Sequence, residues 1–196
     1  MKTVGVLAFQ GSVIEHKKKI NEAGADAREV RHPEDLNAID AIILPGGEST
    51  CITRMLNEFQ LMEPLAQKIQ QGLPVWGTCA GAILLSRNVD GQPNPLPLGI
   101  VDIDIERNSY GSQLDSFQYQ TPVSFLDNRQ VNLIFIRAPR IHSVHTCENL
   151  LNIEWKQQQE IVAVKQNNIF ITTFHPELDS GCTFHRYFID NYIKTP

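Results

Sequence analysis

Val75-Trp76-Gly77-Thr78-Cys79-Ala80-Gly81 is the stretch on which the reading of the fold turns. Gly72-Leu73-Pro74 makes a turn, Val75–Gly77 is a short apolar strand, and a helix is predicted to begin just after Cys79. Glycines flank Cys79 in the pattern G-x-nucleophile-x-G, a tight strand-to-helix turn from which the central side chain projects above a sheet. A sulfur at the start of a helix is favoured as thiolate, because the unpaired N–H groups there carry partial positive charge. Taken alone, a free cysteine is more often inert core. The turn acquires chemical meaning only from its surroundings.

Upstream, strands and helices alternate. Val4–Phe9 is a continuous apolar run, and Ser12 stands as N-cap to a helix carrying Val13, Ile14, Ile20 and Ala23 that stops at Gly24. A weaker strand around Ala27–Arg31 follows, then Asp40–Leu44, closed by Pro45-Gly46-Gly47. Ser49 or Thr50 is expected to cap a helix with Ile52, Met55, Leu56 and Phe59, and Pro64–Gln71 forms another. This order predicts a parallel sheet covered on both faces.

Downstream the rhythm changes. Gly91–Pro97 reads as a loop. Ile100–Ile105, Phe117–Val123, Val131–Ile136, Ile161–Lys165 and Ile169–Phe174 are strand-like runs at hairpin spacing, with Asn167-Asn168 a tight turn. Phe184–Ile193 is a closing helix whose Phe184, Tyr187 and Phe188 can face the sheet. Residues 1–196 are therefore expected to form a single α/β domain.

The chain has 17 Lys plus Arg against 22 Asp plus Glu, a net charge of −5, which argues against a nucleic-acid binder that neutralises phosphates. No apolar run approaches the ~20 residues of a membrane span, and the segment after Lys2 lacks a signal-peptide cleavage pattern. Cys51, Cys79, Cys147 and Cys182 are widely spaced without a CxxC pair, so a reduced, cytoplasmic chain without a metal site is expected. His142 and His145 form an H-x-x-H on a strand-like stretch, where that spacing does not put both on one face, and no carboxylate or cysteine cluster suggests zinc. His16, His32 and His185 read as packing or surface residues.

A cysteine nucleophile needs a base and something to orient the base. His175 has the best context, in Phe174-His175-Pro176-Glu177 directly after an apolar strand. In an extended segment His175 and Glu177 point the same way, so Glu177 can accept from one imidazole nitrogen while the other faces Cys79. Leu44-Pro45-Gly46-Gly47-Glu48-Ser49-Thr50 places paired glycines between a strand and a helix, where backbone N–H groups can point at a developing oxyanion. It lacks the lysine and spacing of a phosphate loop. Its strand is expected beside that of Cys79, at the carboxyl ends where open α/β sheets bind ligands.

Together these elements resemble the class I (triad) glutamine amidotransferases and, at finer grain, the glutaminase subunits of pyridoxal 5′-phosphate synthase. The likeness runs in order through Gly5-Val6-Leu7-Ala8-Phe9-Gln10-Gly11 with Glu15-His16, the Leu44–Thr50 loop, Gly77–Gly81, Arg107-Asn108-Ser109-Tyr110-Gly111, Phe135-Ile136-Arg137-Ala138-Pro139 and Phe174–Leu178. The resemblance implies a flavodoxin-like three-layer fold with a mixed, mainly parallel central sheet. It implies that Cys79 attacks the carboxamide of L-glutamine and releases ammonia, that His175 shuttles the proton, and that Glu177 holds its tautomer. Backbone N–H groups of Gly47 and Ala80 would form the oxyanion hole. Gly46, Gly47, Glu48, Ser49, Arg107, Ile136 and Arg137 would bind glutamine, and Gln10 would lie at a partner interface. The implied partner is a barrel-type synthase subunit in a hetero-oligomer, which takes up the ammonia; no cofactor is implied.

The chain departs from the family pattern at Ser112-Gln113, usually Arg-Gln, and at Gly181 and Thr183, where the family often has Asp and Arg. Both changes remove charge near the expected active face. Cys147–Gln159 also lacks the usual short acidic-glycine pattern. Rival readings are a glutaminase feeding histidine or purine synthesis, a non-catalytic subunit with the same fold, and a Cys-dependent hydrolase. Arg107 and Arg137 suit a small amino-acid substrate better than a polypeptide, and a dead subunit has no need of Cys79, His175 and Glu177 together.

Overall fold

The computed structural model describes residues 1–90, 98–107 and 116–194. The loop expected at Gly91–Pro97, the motif residues Asn108–Gly111 and the Ser112-Gln113 departure lie outside the described residues.

The first half alternates as expected: β1 (Thr3–Leu7), α1 (Val13–Glu22), β2 (Asp26–Val30), β3 (Ala41–Leu44), α2 (Ser49–Glu58), α3 (Met62–Gln70), β4 (Val75–Thr78) and α4 (Ala80–Leu85). The second half contributes β5 (Ser86–Val89), β6 (Val101–Glu106), β7 (Ser116–Val123), β8 (Arg129–Ile136), β9 (Arg140–Val144), β10 (Glu148–Trp155), β11 (Gln158–Gln166), β12 (Ile169–Thr172) and α5 (Thr183–Tyr192). One sheet carries the order β2-β1-β3-β4-β12-β11-β9-β6-β5, with β10 on β11. From β2 to β12 the strands are parallel; β11, β9 and β6 then pair antiparallel. The architecture is the flavodoxin-like α/β arrangement with a mixed sheet.

Two apolar layers explain the unbroken strand runs. Side chains alternate along a strand, so a sheet covered on both faces needs apolar residues at consecutive positions. Ile42, Leu44 and Val75 pack towards α2, α3 and α4 through Ile52, Leu56, Leu65, Ile69 and Leu84. Ala41, Ile43 and Trp76 pack the other way, against Ile20 of α1, Phe184 and Phe188 of α5, and the β7–β8 hairpin through Val131, Leu133 and Phe135. Burying each Val, Leu, Ile or Phe side chain among them is worth about 1.5–3 kcal/mol.

Two strands were not foreseen, β5 and β10, while the strand-like stretch around His142 and His145 forms β9. β5 is an edge strand with exposed Arg87 and Asn88, which bond Asp102 at 2.9 Å and Asp104 at 2.8 Å on β6. Around Leu151 the β10–β11 pairing shifts register, which breaks the alternation that would have revealed β10. β9 is half exposed, with Ile141 its buried residue. The cap of α2 also differs from expectation. Glu48 occupies the N-cap, and its carboxylate accepts from the N–H groups of Thr50 (3.0 Å) and Cys51 (2.7 Å). Among the described residues no helix is long and apolar enough to cross a membrane.

Candidate active site

Cys79 sits at the turn between β4 and α4 with φ 49° and ψ −104°, a strained conformation for a non-glycine residue. Its N–H donates to Thr172 O at 2.9 Å, and its carbonyl accepts from Ala82 N at 3.1 Å. The flanking glycines are needed for close approach. A Cβ at Gly81 would lie 2.0 Å from Leu44 O, and one at Gly77 would lie 2.7 Å from the Gly81 carbonyl.

β12 pairs with β4 in parallel, Thr172 opposite Thr78, and delivers the next residues to the same end of the sheet. The N–H of His175 donates to Ile134 O at 2.8 Å. Pro176–Leu178 forms a 3-10 turn, not the extended segment expected, yet His175 Nδ1 and Glu177 Oε1 meet at 2.8 Å. Burial alone would push His175 down, but its hydrogen bonds to Cys79 and Glu177 outweigh this and raise it to about 10. Burial likewise opposes the charge on Glu177, and the facing His16 and His175 overcome it, lowering the carboxyl to about 2. The pair is therefore held in its charged, hydrogen-bonded form.

The strand order reverses between β1 and β3, the place where open α/β sheets form a ligand crevice. The loops after these strands are locked together there. Gly11, at φ +88°, lies so close to the neighbouring loop that a Cβ would stand 1.7 Å from Gly46 O. Gln10 Nε2 donates to Glu48 O at 2.8 Å. Arg107 Nη2 donates to Glu48 Oε1 and to Thr50 Oγ1, both at 3.2 Å.

A cavity of about 470 Å³ gathers nearly all of the expected site: Gln10, Gly46, Gly47, Glu48, Ser49, Cys79, Ala80, Arg107, Ile136, Arg137 and His175 line it. Glu177 stands behind His175, buried. Arg137 is exposed and carries φ 45°.

His16 and His185, read as packing or surface residues, are core residues. Both are fully buried behind the triad, with His16 Nε2 3.4 Å from Glu177 Oε2 and His16 Nδ1 2.9 Å from His185 Nε2. The available signals were that His16 falls on the inward stripe of α1 with Ile20, and that Glu15-His16 belongs to the stretch that carries the resemblance.

Two other expectations need correction. His142 and His145 do find carboxylates: His142 Nε2 lies 2.9 Å from Glu106 Oε2 and 3.4 Å from Asp90 Oδ2, and His145 Nε2 lies 3.0 Å from Asp104 Oδ2. The β6–β9 pairing shifts register between Asp104 and Ile105, which disturbs the simple alternation used to separate the two histidines. Gly181 and Thr183 line a separate groove of about 710 Å³ between α5 and the turn after β7, not the Cys79 cavity.

The chain matches the model of the SNO glutamine amidotransferase family over residues 6–194. It is 50% identical over 194 residues to pyridoxal 5′-phosphate synthase subunit PdxT of Caldicellulosiruptor bescii, covering 99% of this chain and 100% of that one. Its identity to the protein of the same name in Clostridium botulinum is 45% over 195 residues, 99% of each chain. A solved structure described as a glutamine amidotransferase superposes with a TM-score of 0.87 at 36% identity, over 95% of this chain and 97% of the other. PurLQS from Thermotoga maritima superposes at 0.72 with 17% identity, covering 98% and 99% of the two chains, a likeness of fold.

Proposed function

Because the chain belongs to the SNO glutamine amidotransferase family, we propose that it hydrolyses L-glutamine and passes the ammonia to a pyridoxal 5′-phosphate synthase subunit. The observation that carries this reading is the line Cys79–His175–Glu177 at a cavity walled by the Gly46-Gly47 loop.

In this reading the Cys79 thiolate attacks the side-chain carboxamide carbon of glutamine. The N–H groups of Gly47 and Ala80 hold the developing oxyanion; Ala80 opens α4, so its N–H has no intrahelical partner. His175 gives its Nε2 proton to the leaving nitrogen, and ammonia departs from a glutamyl thioester. The same nitrogen then takes a proton from water, which attacks the thioester and frees glutamate. Glu177 stays ionised and keeps the other imidazole proton on Nδ1.

Gly46, Glu48 and Ser49 would bind glutamine from one wall, with Ile136 and Arg137 on the other. Arg107 holds Glu48, whereas Arg137 makes no ion pair among the described residues. Arg137 is therefore the guanidinium assigned to the α-carboxylate, and Arg107 acts by fixing Glu48.

Free ammonia would be protonated and lost in water, so the partner should cover the mouth. Gln10 and the exposed Leu178 line that mouth, and Ile14, 78% exposed, follows in the first turn of α1. We assign to this rim a barrel-type synthase in a cytoplasmic hetero-oligomer; a reducing compartment suits the four free cysteines. The test is glutamate release by wild type and Cys79→Ala, with and without the synthase subunit. Abolition in the variant is expected, and unchanged turnover would sink the mechanism.

A further inference from the structure

We propose that His16 is a positioning residue of the triad, donating Nε2–H to the second oxygen of Glu177, with His185 fixing the tautomer that makes this possible. The inference rests on the reading of Cys79, His175 and Glu177 as a hydrolytic triad.

Glu177 is 2% exposed, and only Oε1 is bonded to His175. Oε2 is buried and accepts no short hydrogen bond among the described residues, and His16 Nε2 stands 3.4 Å away. A buried carboxylate oxygen without a donor is costly, so the proton on His16 decides whether this oxygen is satisfied. Thr78 Oγ1 lies 3.3 Å from the same nitrogen and can share the N–H. The other ring nitrogen, Nδ1, is 2.9 Å from His185 Nε2, and His185 Nδ1 is buried without a partner.

Two neutral arrangements are open to this histidine pair. If His16 carried its proton on Nδ1, its Nε2 could accept from the Thr78 hydroxyl, but Glu177 Oε2 would be left without a donor and His185 would bury an unpaired N–H at Nδ1. If instead His185 donates from Nε2, His16 accepts at Nδ1 and donates from Nε2 to Glu177. The only group left without a partner is then a lone pair on His185. An orphaned buried N–H costs more than an under-used acceptor. The second arrangement is therefore selected. Burial pushes both imidazoles below their ordinary value, which keeps the pair neutral.

The chain of donors then runs His185 Nε2–H to His16 Nδ1, His16 Nε2–H to Glu177 Oε2, and His175 Nδ1–H to Glu177 Oε1. His16 holds the carboxylate from behind, so that it neither rotates nor protonates while His175 cycles its charge. The groups facing Glu177 are His175 from its own segment with Cys79 beyond it, His16 from α1 and His185 from α5.

The experiment measures glutaminase turnover in the complex with the synthase subunit for His16→Leu and His16→Gln, whose amide places an N–H near the position of Nε2. Removing one hydrogen bond to a charged group should lower kcat about 10- to 100-fold. KM for glutamine should hold, since His16 lies outside the cavity, while the acid limb of kcat/KM moves to higher pH. Glutamine at position 16 should restore most of the rate and return the acid limb. Nitrogen-15 histidine NMR of the wild-type chain should report Nε2–H tautomers at both His16 and His185. A leucine variant with wild-type kcat and acid limb overturns the proposal, as does an Nδ1–H tautomer at His16. Should the leucine variant fail to fold, the tautomer in the wild-type spectrum decides. An active Cys79→Ala would instead overturn the triad reading itself.

Discussion

A methyl group added at Gly46 should disable the site and spare the fold. The new Cβ would stand 2.6 Å from Cε1 of His175, 3.2 Å from its Nδ1 and 3.4 Å from Cβ of Cys79. Gly46 is not among the positive-φ glycines, so alanine meets no backbone penalty there. Carbon atoms rest about 3.5–4.0 Å apart, so the imidazole must retreat by roughly 1 Å. A ring tied at Nδ1 to Glu177 by a 2.8 Å bond cannot retreat without stretching that bond or leaving Cys79. Misplacing a catalytic group by about 1 Å costs on the order of 100-fold in rate. Overpacking costs about 1–3 kcal/mol, and the stiffer unfolded chain returns roughly 0.4–1 of it. At about 2–4 °C per kcal/mol for a chain of this size, Tm should fall by only a few degrees.

Gly81→Ala is the contrasting variant. Its Cβ would meet Leu44 O at 2.0 Å and the Leu44 carbonyl carbon at 2.8 Å, backbone atoms with no rotamer to yield. Parting β3 from the elbow places this substitution in the rare class above roughly 4 kcal/mol. Glutamate formation in the presence of the synthase subunit, with circular-dichroism melting of each variant, separates the two effects. Gly46→Ala should melt near wild type with kcat reduced about 100-fold, and Gly81→Ala should melt far lower. Wild-type turnover in Gly46→Ala would refute the assignment of His175 to this position.

Arg137→Gly should raise KM for glutamine tenfold or more, the worth of about one charge-assisted hydrogen bond, while Tm stays level or rises as the φ 45° strain is released; steady-state kinetics and melting check both. Glu48→Ala removes a cap that receives two N–H groups and the partner of Arg107, and should cost about 1 kcal/mol, read as a loss of a few degrees in Tm. Burial holds His185 well below its ordinary 6.5, so below that pH the unfolded chain binds a proton that the folded chain refuses. Stability should therefore fall with pH below 6.5, by up to about 1.4 kcal/mol per unit from this residue; urea unfolding between pH 5 and 7 should show a shallower slope in His185→Phe.

The parallel half of the fold was legible because β1, β3 and β4 are buried on both faces and leave apolar runs that no turn interrupts. β5 and β10 were not, since one is a polar edge and the other carries a register shift. Cys79 and His175 each announce themselves locally, by flanking glycines and by the His-Pro-Glu segment. Nothing local says that they meet: the need of a nucleophile for a base and the resemblance paired them, and the sheet order brings them together. His16 lay beyond reach for a different reason. A histidine on the inner stripe of a helix has the same pattern whether it packs or donates, and the carboxylate that decides between the two comes from the far end of the chain.

Nucleophile and base hang from the same strand. The strained turn at Cys79 would relax by about 1–3 kcal/mol if its surroundings allowed it. It is held because its N–H bonds Thr172 O, the last residue of β12. Three residues later the same segment presents His175, whose own N–H is fixed to Ile134 O of the β7–β8 hairpin. A shift of β12 along β4 would therefore move the imidazole and release the cysteine turn together. The relation between sulfur and base is thus a property of backbone pairing, and side-chain packing adds to it only from behind, where Glu177 meets His16.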